Sequence, residues 1–198
     1  MQPKPLILAF DTSTAHCAVA LLSGESLLAE KIEDMAKGQN ERLIPICQEL
    51  LNAQGVTWAD LSAIGVCTGP GNFTGIRIAV STARGFSLAL GITAIGVTLF
   101  EAMAFGKTSS ETLKLPARPG YIYIQKMENG QVSGSAQMVE SDEQVERDPR
   151  FTDGQSLPEV IARIAARQLD HPTERPKPFY IRPADAAPSR DAPISIVP

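Results

Sequence analysis

Four polar residues at the end of the first apolar run are the first candidates for chemistry. The predicted strand Leu6–Asp11 continues into Thr12, Ser13 and Thr14. A tight turn with exposed backbone N–H groups and small hydroxyls can wrap a phosphate, and a carboxylate at a strand end can hold the water shell of a metal ion. The alternative is a polar hairpin turn whose side chains satisfy their own backbone. Four common residues do not decide between the two.

A glycine-rich loop that leads from a strand into a helix is the second candidate. It comprises Gly69, Pro70, Gly71, Asn72, Phe73, Thr74, Gly75, Ile76 and Arg77. Glycines let the backbone approach another group closely, and the helix N-terminus offers free N–H groups to an anion. Arg77 in the first turn could complete such a site. The alternative is a strand-to-helix turn with Thr74 as N-cap and Arg77 paired with a local carboxylate.

Several common kinds of catalytic site lack their residues here. His16 and His171 are the only histidines and fit no paired-ligand spacing, which argues against a histidine-ligated zinc site and against a metalloprotease. The sequence has no Walker A motif. Three widely spaced cysteines, Cys17, Cys47 and Cys67, are predicted to be buried free thiols and not a disulfide framework.

Composition and charge limit the remaining classes of function. The 198 residues carry a net charge of −4, and each half of the sequence has two more acidic than basic side chains. This balance argues against tight nucleic-acid binding by the chain alone. No apolar run reaches the length of a membrane span, and the N-terminal residues do not resemble a signal peptide. We therefore expect a cytoplasmic protein without membrane contacts.

The elements that must position these candidates form an α/β pattern over residues 1–105. Turn residues separate three strands, at Leu6–Asp11, His16–Leu22 and Ser26–Ile32. They precede an amphipathic helix near Glu41–Gln54, in which Pro45 makes the first turn doubtful. A strand Ala63–Cys67, a helix Gly75–Leu90, a strand Thr93–Val97 and a short helix from Thr98 to about Ala104 complete the pattern. The order predicts a ribonuclease-H-like mixed sheet of five strands with flanking helices.

Residues 106–171 predict only a reduced second subdomain. Residues 106–119 form a break rich in Gly, Ser, Thr and Pro. Two alternating runs, Gly120–Met127 and Gln131–Val139, flank Glu128-Asn129-Gly130, which indicates a hairpin. A helix follows at Ser156–Leu169 with Pro158 in its first turn. Residues 172–198 form a proline-rich tail without a helix.

Taken together, the motifs resemble one bacterial family. The chain is similar to the TsaB (YeaZ) proteins of tRNA threonylcarbamoyladenosine biosynthesis, which are described as glycoprotease-like. The similarity is dense over residues 6–105 and is weak afterwards, where Phe179–Ala186 matches the family's terminal stretch. The matching segments are Leu8–Leu22, Asn40–Leu51, Leu61–Ile92 and Ala94–Ala104.

The resemblance implies the actin-like ATPase fold, in which Asp11–Thr14 is the vestigial phosphate loop. It implies no required cofactor and no metal, and it allows weak binding of ATP or ADP. Asn40 stands where members often have a histidine, and Pro116–Tyr123 departs from the family's DARRGEVY-like strand. The second departure, with its lost carboxylate and inserted proline, weakens any ligand role for the second subdomain.

By resemblance, the chain is a non-catalytic subunit for threonylcarbamoyl transfer to adenosine 37 of tRNA. Its expected partners are a TsaD-type transferase and a TsaE-type ATPase, with a homodimer as another assembly, and it would meet tRNA only through the complex. The competing hypothesis is a weak ATP-dependent phosphotransferase of the same fold, whose second phosphate loop would have to lie at Asp153-Gly154.

The helix Gly75–Leu90 is the predicted partner interface. It carries only two charges, Arg77 and Arg84. One stripe suits packing on the sheet: Ile76, Ala79, Val80, Ala83, Phe86 and Leu90. The opposite side is small or apolar, which favours a partner helix: Ile78, Ser81, Thr82, Gly85, Leu88 and Ala89. The alternative is that the second half of the chain covers this side.

Overall fold

A five-stranded mixed sheet forms the centre of the structure, a computed structural model that describes residues 4–146, 149, 151–171 and 174–181. Its strands lie in the order β3-β2-β1-β4-β5. The first three strands pair antiparallel, whereas β4 and β5 continue the sheet in parallel from β1. The bounds are β1 (Leu6–Asp11), β2 (His16–Ser23), β3 (Ser26–Asp34), β4 (Ala63–Cys67) and β5 (Thr93–Val97). The prediction of an α/β fold with a mixed sheet and flanking helices is confirmed.

Helices cover both faces of this sheet, which explains why its central strands are apolar throughout. On one face, Leu8 and Phe10 of β1 pack in a core with α1 (Gln39–Ala53) and α2 (Phe73–Leu90). On the other, Ile7 and Ala9 pack with α3 (Leu99–Ala104) and α4 (Leu157–Gln168). The alternation of side chains along the strand thus divides β1 between two cores.

Helix α4 lies far along the sequence but packs on the first sheet. It contacts β1, β2 and β4, and Ile161 and Ala165 are fully buried. The predicted helix with Pro158 in its first turn is confirmed, and Ser156, its predicted first residue, is the N-cap. The domain boundary at residue 105 stays a prediction. Helix α4 follows this boundary in the sequence but packs on the sheet that precedes it.

The second, three-stranded sheet contains one strand that the sequence analysis missed. Its members are β6 (Glu111–Pro116), β7 (Tyr121–Glu128) and β8 (Gln131–Glu140). The prediction of an irregular break over residues 106–119 is wrong, because Leu113 and Leu115 alternate into the core and Pro116 ends an edge strand, where proline is tolerated. The hairpin is confirmed: Asn129 and Gly130 both have positive φ, at 51° and 73°.

Two helix starts differ from the predictions. Helix α1 includes its doubtful first turn and begins at Gln39, with Pro45 inside it. Helix α2 begins at Phe73, two residues before the predicted start.

Part of the proline-rich tail packs against the body of the protein. Residues 174–181, here called the strap, form neither helix nor strand. The Phe179 amide donates to the Thr68 carbonyl over 2.8 Å, and Pro176 is buried. The expected absence of a helix holds for these residues, whereas residues 172–173 and 182–198 lie outside the described ones. None of the helices in the described ranges has the length and apolar character to cross a bilayer.

Candidate functional site

The polar turn after β1 forms hydrogen bonds within itself. Asp11 is fully buried at the end of the strand, and one of its carboxylate oxygens accepts a hydrogen bond of 2.9 Å from the Ser13 amide. This is the Asx-turn arrangement of short polar loops. The geometry is that of a polar hairpin turn that bonds to its own backbone.

His16 occupies the other oxygen of Asp11. The imidazole Nε2 lies 2.6 Å from Asp11 Oδ2 and must donate, since an ionised carboxylate only accepts. The sequence analysis missed this pair, although the hairpin register could have found it. Asp11 pairs with Ala18, so His16, two residues earlier, lies diagonally on the same face of the sheet.

The hydroxyl of Thr14 does not turn this pair into a nucleophilic triad. Its Oγ1 lies 2.9 Å from His16 Nδ1 and 3.4 Å from Nε2. A hydroxyl in line with one ring nitrogen would lie much farther from the other, so this oxygen sits over the ring. It is therefore badly placed to pass a proton to the imidazole.

The glycine-rich loop packs against the same turn. The Thr12 hydroxyl donates to the Gly75 carbonyl over 2.7 Å, and the Asn72 amide donates to the Ser13 carbonyl over 2.6 Å. A Cβ on Gly71 would lie 2.5 Å from the Ser13 carbonyl oxygen, and one on Gly75 would overlap that of Thr12. The group that these glycines allow the backbone to approach is therefore the chain's own turn. We call this contact the turn–loop joint.

The remaining residues of the glycine-rich loop shape the turn and the start of α2. Gly69 has a φ of 100° and precedes Pro70 through a cis peptide bond, and its carbonyl accepts from the Leu99 amide over 2.8 Å. Thr74 is exposed and is not the N-cap. Asn72 caps α2 instead, and its side chain accepts from the Gly75 amide over 2.9 Å.

Arg77 contacts the strap and pairs with no carboxylate of the described residues, whereas its role at an anion site stays a prediction. It is exposed, and its guanidinium lies 3.6 Å over the Phe73 ring. Its Nε donates to the Tyr180 hydroxyl over 3.0 Å. Tyr180 in turn stacks on Phe73 with ring centroids 5.5 Å apart. The side chain thus links α2 to the strap.

The predicted interface side of α2 is uncovered in the part of the chain that the structure describes. Leu88 is 83% exposed, and Ser81, Gly85 and Ala89 are also exposed. A Cβ on Gly85 would meet nothing within 4 Å. Ile78 and Thr82 are half-buried at the margin of this side. The described residues of the second half do not cover it.

The three thiols are buried and free, as predicted. Burial is the largest cause of the raised pKa of each: it raises the pKa of Cys17 to about 12 and that of Cys67 well above the ordinary value. A thiol in this state is a poor nucleophile at neutral pH. The described ranges also contain no group of three or more His, Cys, Asp or Glu side chains that could hold a metal ion.

Comparisons with known proteins identify the family. The family model described as "TsaD: tRNA N6-adenosine threonylcarbamoyltransferase" matches residues 27–170. Two curated relatives are named tRNA threonylcarbamoyladenosine biosynthesis protein TsaB. The relative from Escherichia coli is 33% identical over 63% of this chain and 57% of its own. The relative from Bacillus subtilis is 36% identical over 59% of this chain and 52% of its own.

A solved structure supports the same assignment. YeaZ from Pseudomonas aeruginosa superposes with a TM-score of 0.64 at 26% identity, covering 89% of this chain and 100% of that one. The chain nevertheless spans only about half the length of the curated relatives it matches. The chain belongs to the TsaD family of tRNA N6-adenosine threonylcarbamoyltransferases, and the curated relatives described above carry the name TsaB.

Proposed function

We propose that the chain is a non-catalytic subunit for threonylcarbamoyl transfer to adenosine 37 of tRNA. It pairs with a TsaD-type transferase and helps to recruit a TsaE-type ATPase. The observation that carries the proposal is the uncovered side of α2 in a chain whose polar turn is satisfied internally. The names of the relatives supply the process in which such a subunit would work.

The uncovered side of α2 suits another helix. Ser81, Gly85 and Ala89 recur every four residues, so they form a low ridge that lets a second backbone approach closely. Leu88 lies beside this ridge and is exposed to solvent. An exposed apolar side chain next to such a ridge is typical of a surface that a partner buries. The same ridge would form a homodimer of this chain when the transferase is absent.

The turn–loop joint supports a role without catalysis. The Asp11 carboxylate already accepts hydrogen bonds from His16 and Ser13, and the carbonyls of Thr12 and Ser13 lie against the glycines of the loop. A phosphotransferase would need these groups for phosphate and metal. Its second phosphate loop is not supported either, since Thr152–Gly154 forms a single turn of 3-10 helix shortly before α4.

The same geometry fits poorly with a tight nucleotide site. The amides of Ser13 and Asn72, which a phosphate would use, already donate within the joint. We therefore propose that ATP and ADP are not required by this chain. Calorimetry with ATP and magnesium should give a Kd no tighter than about 100 μM, which corresponds to roughly −5.5 kcal/mol. A low-micromolar Kd would reject this part of the proposal.

The direct test is restoration of the modified nucleoside in cells. A bacterial strain depleted of its own TsaB would express this chain, and the threonylcarbamoyladenosine content of its tRNA would be measured by mass spectrometry. We expect the modification to return, and to return equally with the variant Asp11→Asn. No recovery, although the chain co-purifies with the host transferase, would contradict the proposed function.

A further inference from the structure

Cationic side chains of α2 and of the strap lie near each other. The helix contributes Arg77 and Arg84 and has no acidic residue, whereas the strap contributes Arg175, Lys177 and the acid Glu174. Arg84 Nε donates to the Pro176 carbonyl over 2.6 Å, which brings the two segments together. Four cations therefore lie along the contact between α2 and the strap of a chain whose net charge is −4. Two carboxylates accompany them: Glu174 lies on the strap, and Glu101 lines the adjoining cleft.

Little within the described ranges neutralises these cations. Lys177 pairs with Glu174 at 2.8 Å, but both side chains are largely exposed, and such pairs are weak in water. Arg77, Arg84 and Arg175 form no ion pair with a carboxylate of the described residues. The bonds of Arg77 and Arg84 to the strap go to a hydroxyl and a carbonyl, so they position the guanidinium groups and leave their charge in place.

Two exposed aromatic rings lie among these charges. Phe73 is 53% exposed and Tyr180 is 51% exposed. They stack with an interplanar angle of 27°, and the Arg77 guanidinium covers part of Phe73. Exposed rings interleaved with arginines are typical of surfaces that bind single-stranded nucleic acid, because bases stack on the rings while cations contact phosphates.

We propose that this basic aromatic surface binds single-stranded RNA, with a base stacked on the exposed rings and phosphates at the cations. It consists of Phe73, Arg77, Arg84, Arg175, Lys177 and Tyr180. The inference rests on the proposed function, which supplies an RNA with an exposed loop, the anticodon loop of the tRNA. The chain then contacts its RNA directly and does not depend on the transferase for every contact. The exposed ring stack favours RNA over an acidic protein as the ligand.

The test compares two substitutions with the same change of charge. Arg175→Glu alters the basic aromatic surface, whereas Lys126→Glu alters an exposed cation on the second sheet. The affinity of the full-length chain for a labelled single-stranded RNA of about 12 nucleotides would be measured by fluorescence anisotropy at several salt concentrations. We expect wild-type binding in the range of about 10–100 μM at low salt. Arg175→Glu should weaken it several-fold and reduce the salt slope by about 1, and Lys126→Glu should leave both unchanged.

A further variant tests the contribution of the ring stack. Phe73→Ala removes one of the two stacked rings and should weaken RNA binding about tenfold. Circular dichroism would confirm that each variant is folded.

Three results would overturn the inference. They are no RNA binding by the wild-type chain, equal effects of Arg175→Glu and Lys126→Glu, or loss of transferase binding by Arg175→Glu with RNA affinity intact. The last result would assign the surface to a protein partner. If the wild-type chain restores the modified nucleoside, none of these results contradicts the proposed function. The RNA-binding inference and the proposed function can therefore fail separately.

Discussion

The turn–loop joint lies at the start of α2, and it differs from the outer side of that helix in which polar groups are left for a ligand. In the joint, the carboxylate of Asp11 and the amides of Ser13 and Asn72 are engaged by other groups of the chain. On the outer side, Gly85 faces open space and Leu88 is 83% exposed. The motif that resembles a ligand site in the sequence forms its hydrogen bonds within the chain. The side with no polar motif is the one that the described residues leave uncovered.

The largest expected effect on stability is at Gly75, and Gly85 is its matched control. Gly75→Ala would place a Cβ on the Thr12 carbonyl, and relieving this overlap should cost about 3 kcal/mol. Gly85→Ala meets no neighbour and should stabilise the helix by about 0.5–1 kcal/mol, because alanine is the better helix former. Urea unfolding of both variants measures the difference. If Gly75→Ala is as stable as Gly85→Ala, the joint is not closed as described.

A smaller effect is expected when the buried carboxylate loses its charge. Asp11→Asn keeps the shape of the side chain but weakens its bonds to His16 and to the Ser13 amide, which should cost about 1–3 kcal/mol. The comparison predicts that this loss appears in unfolding experiments and not in activity. An ATPase activity of the purified chain that disappears in this variant would contradict the comparison, since it would give the joint a catalytic role.

The smallest effect concerns a surface charge network away from both regions. Hydrogen bonds from Arg42, and then from Lys31, lower the pKa of Glu33 and of Glu49 to about 2, from an ordinary value of 4.5. A carboxylate with a lowered pKa stabilises the fold fully above its unfolded pKa, and this contribution is lost as the pH falls towards its folded pKa. We expect thermal stability to decrease between about pH 4.5 and pH 2.

The variant Arg42→Gln is the control for the charge network. It removes the main cause of both shifts, so its melting temperature should depend less on pH in this range. An unchanged dependence would show that other groups control the acid limb. Because these side chains are at the surface, the difference should also shrink in high salt.

The sequence predicts an element correctly where the residues that determine it lie within that same segment. Asn129-Gly130 marks the hairpin, and Ser156 with Pro158 marks the start of α4, because turns and caps are decided by neighbouring residues. The sequence did not predict the role of a residue whose contacts are made by a distant segment. The glycines of the loop are explained by the carbonyls of Thr12 and Ser13, more than fifty residues earlier.

Two further features were missed, each for its own reason. The edge strand β6 is short and has only Leu113 and Leu115 facing the core, so its alternating pattern was hidden beside a Ser- and Thr-rich segment. Charge counted by halves of the sequence showed no basic region. The structure brings Arg84 of one half against Pro176 of the other, and the local excess of positive charge exists only after folding.

The central claim is that the chain works through the outer side of α2, and Gly85→Arg tests it most directly. The substitution would place a long cation on the low ridge, where a Cβ has no neighbour within 4 Å. Sedimentation of the chain mixed with a TsaD-type transferase would be compared for wild type, Gly85→Ala and Gly85→Arg. We expect a complex with the first two proteins, and only separate components with Gly85→Arg, whose circular dichroism stays native. A complex formed normally by folded Gly85→Arg would contradict the account.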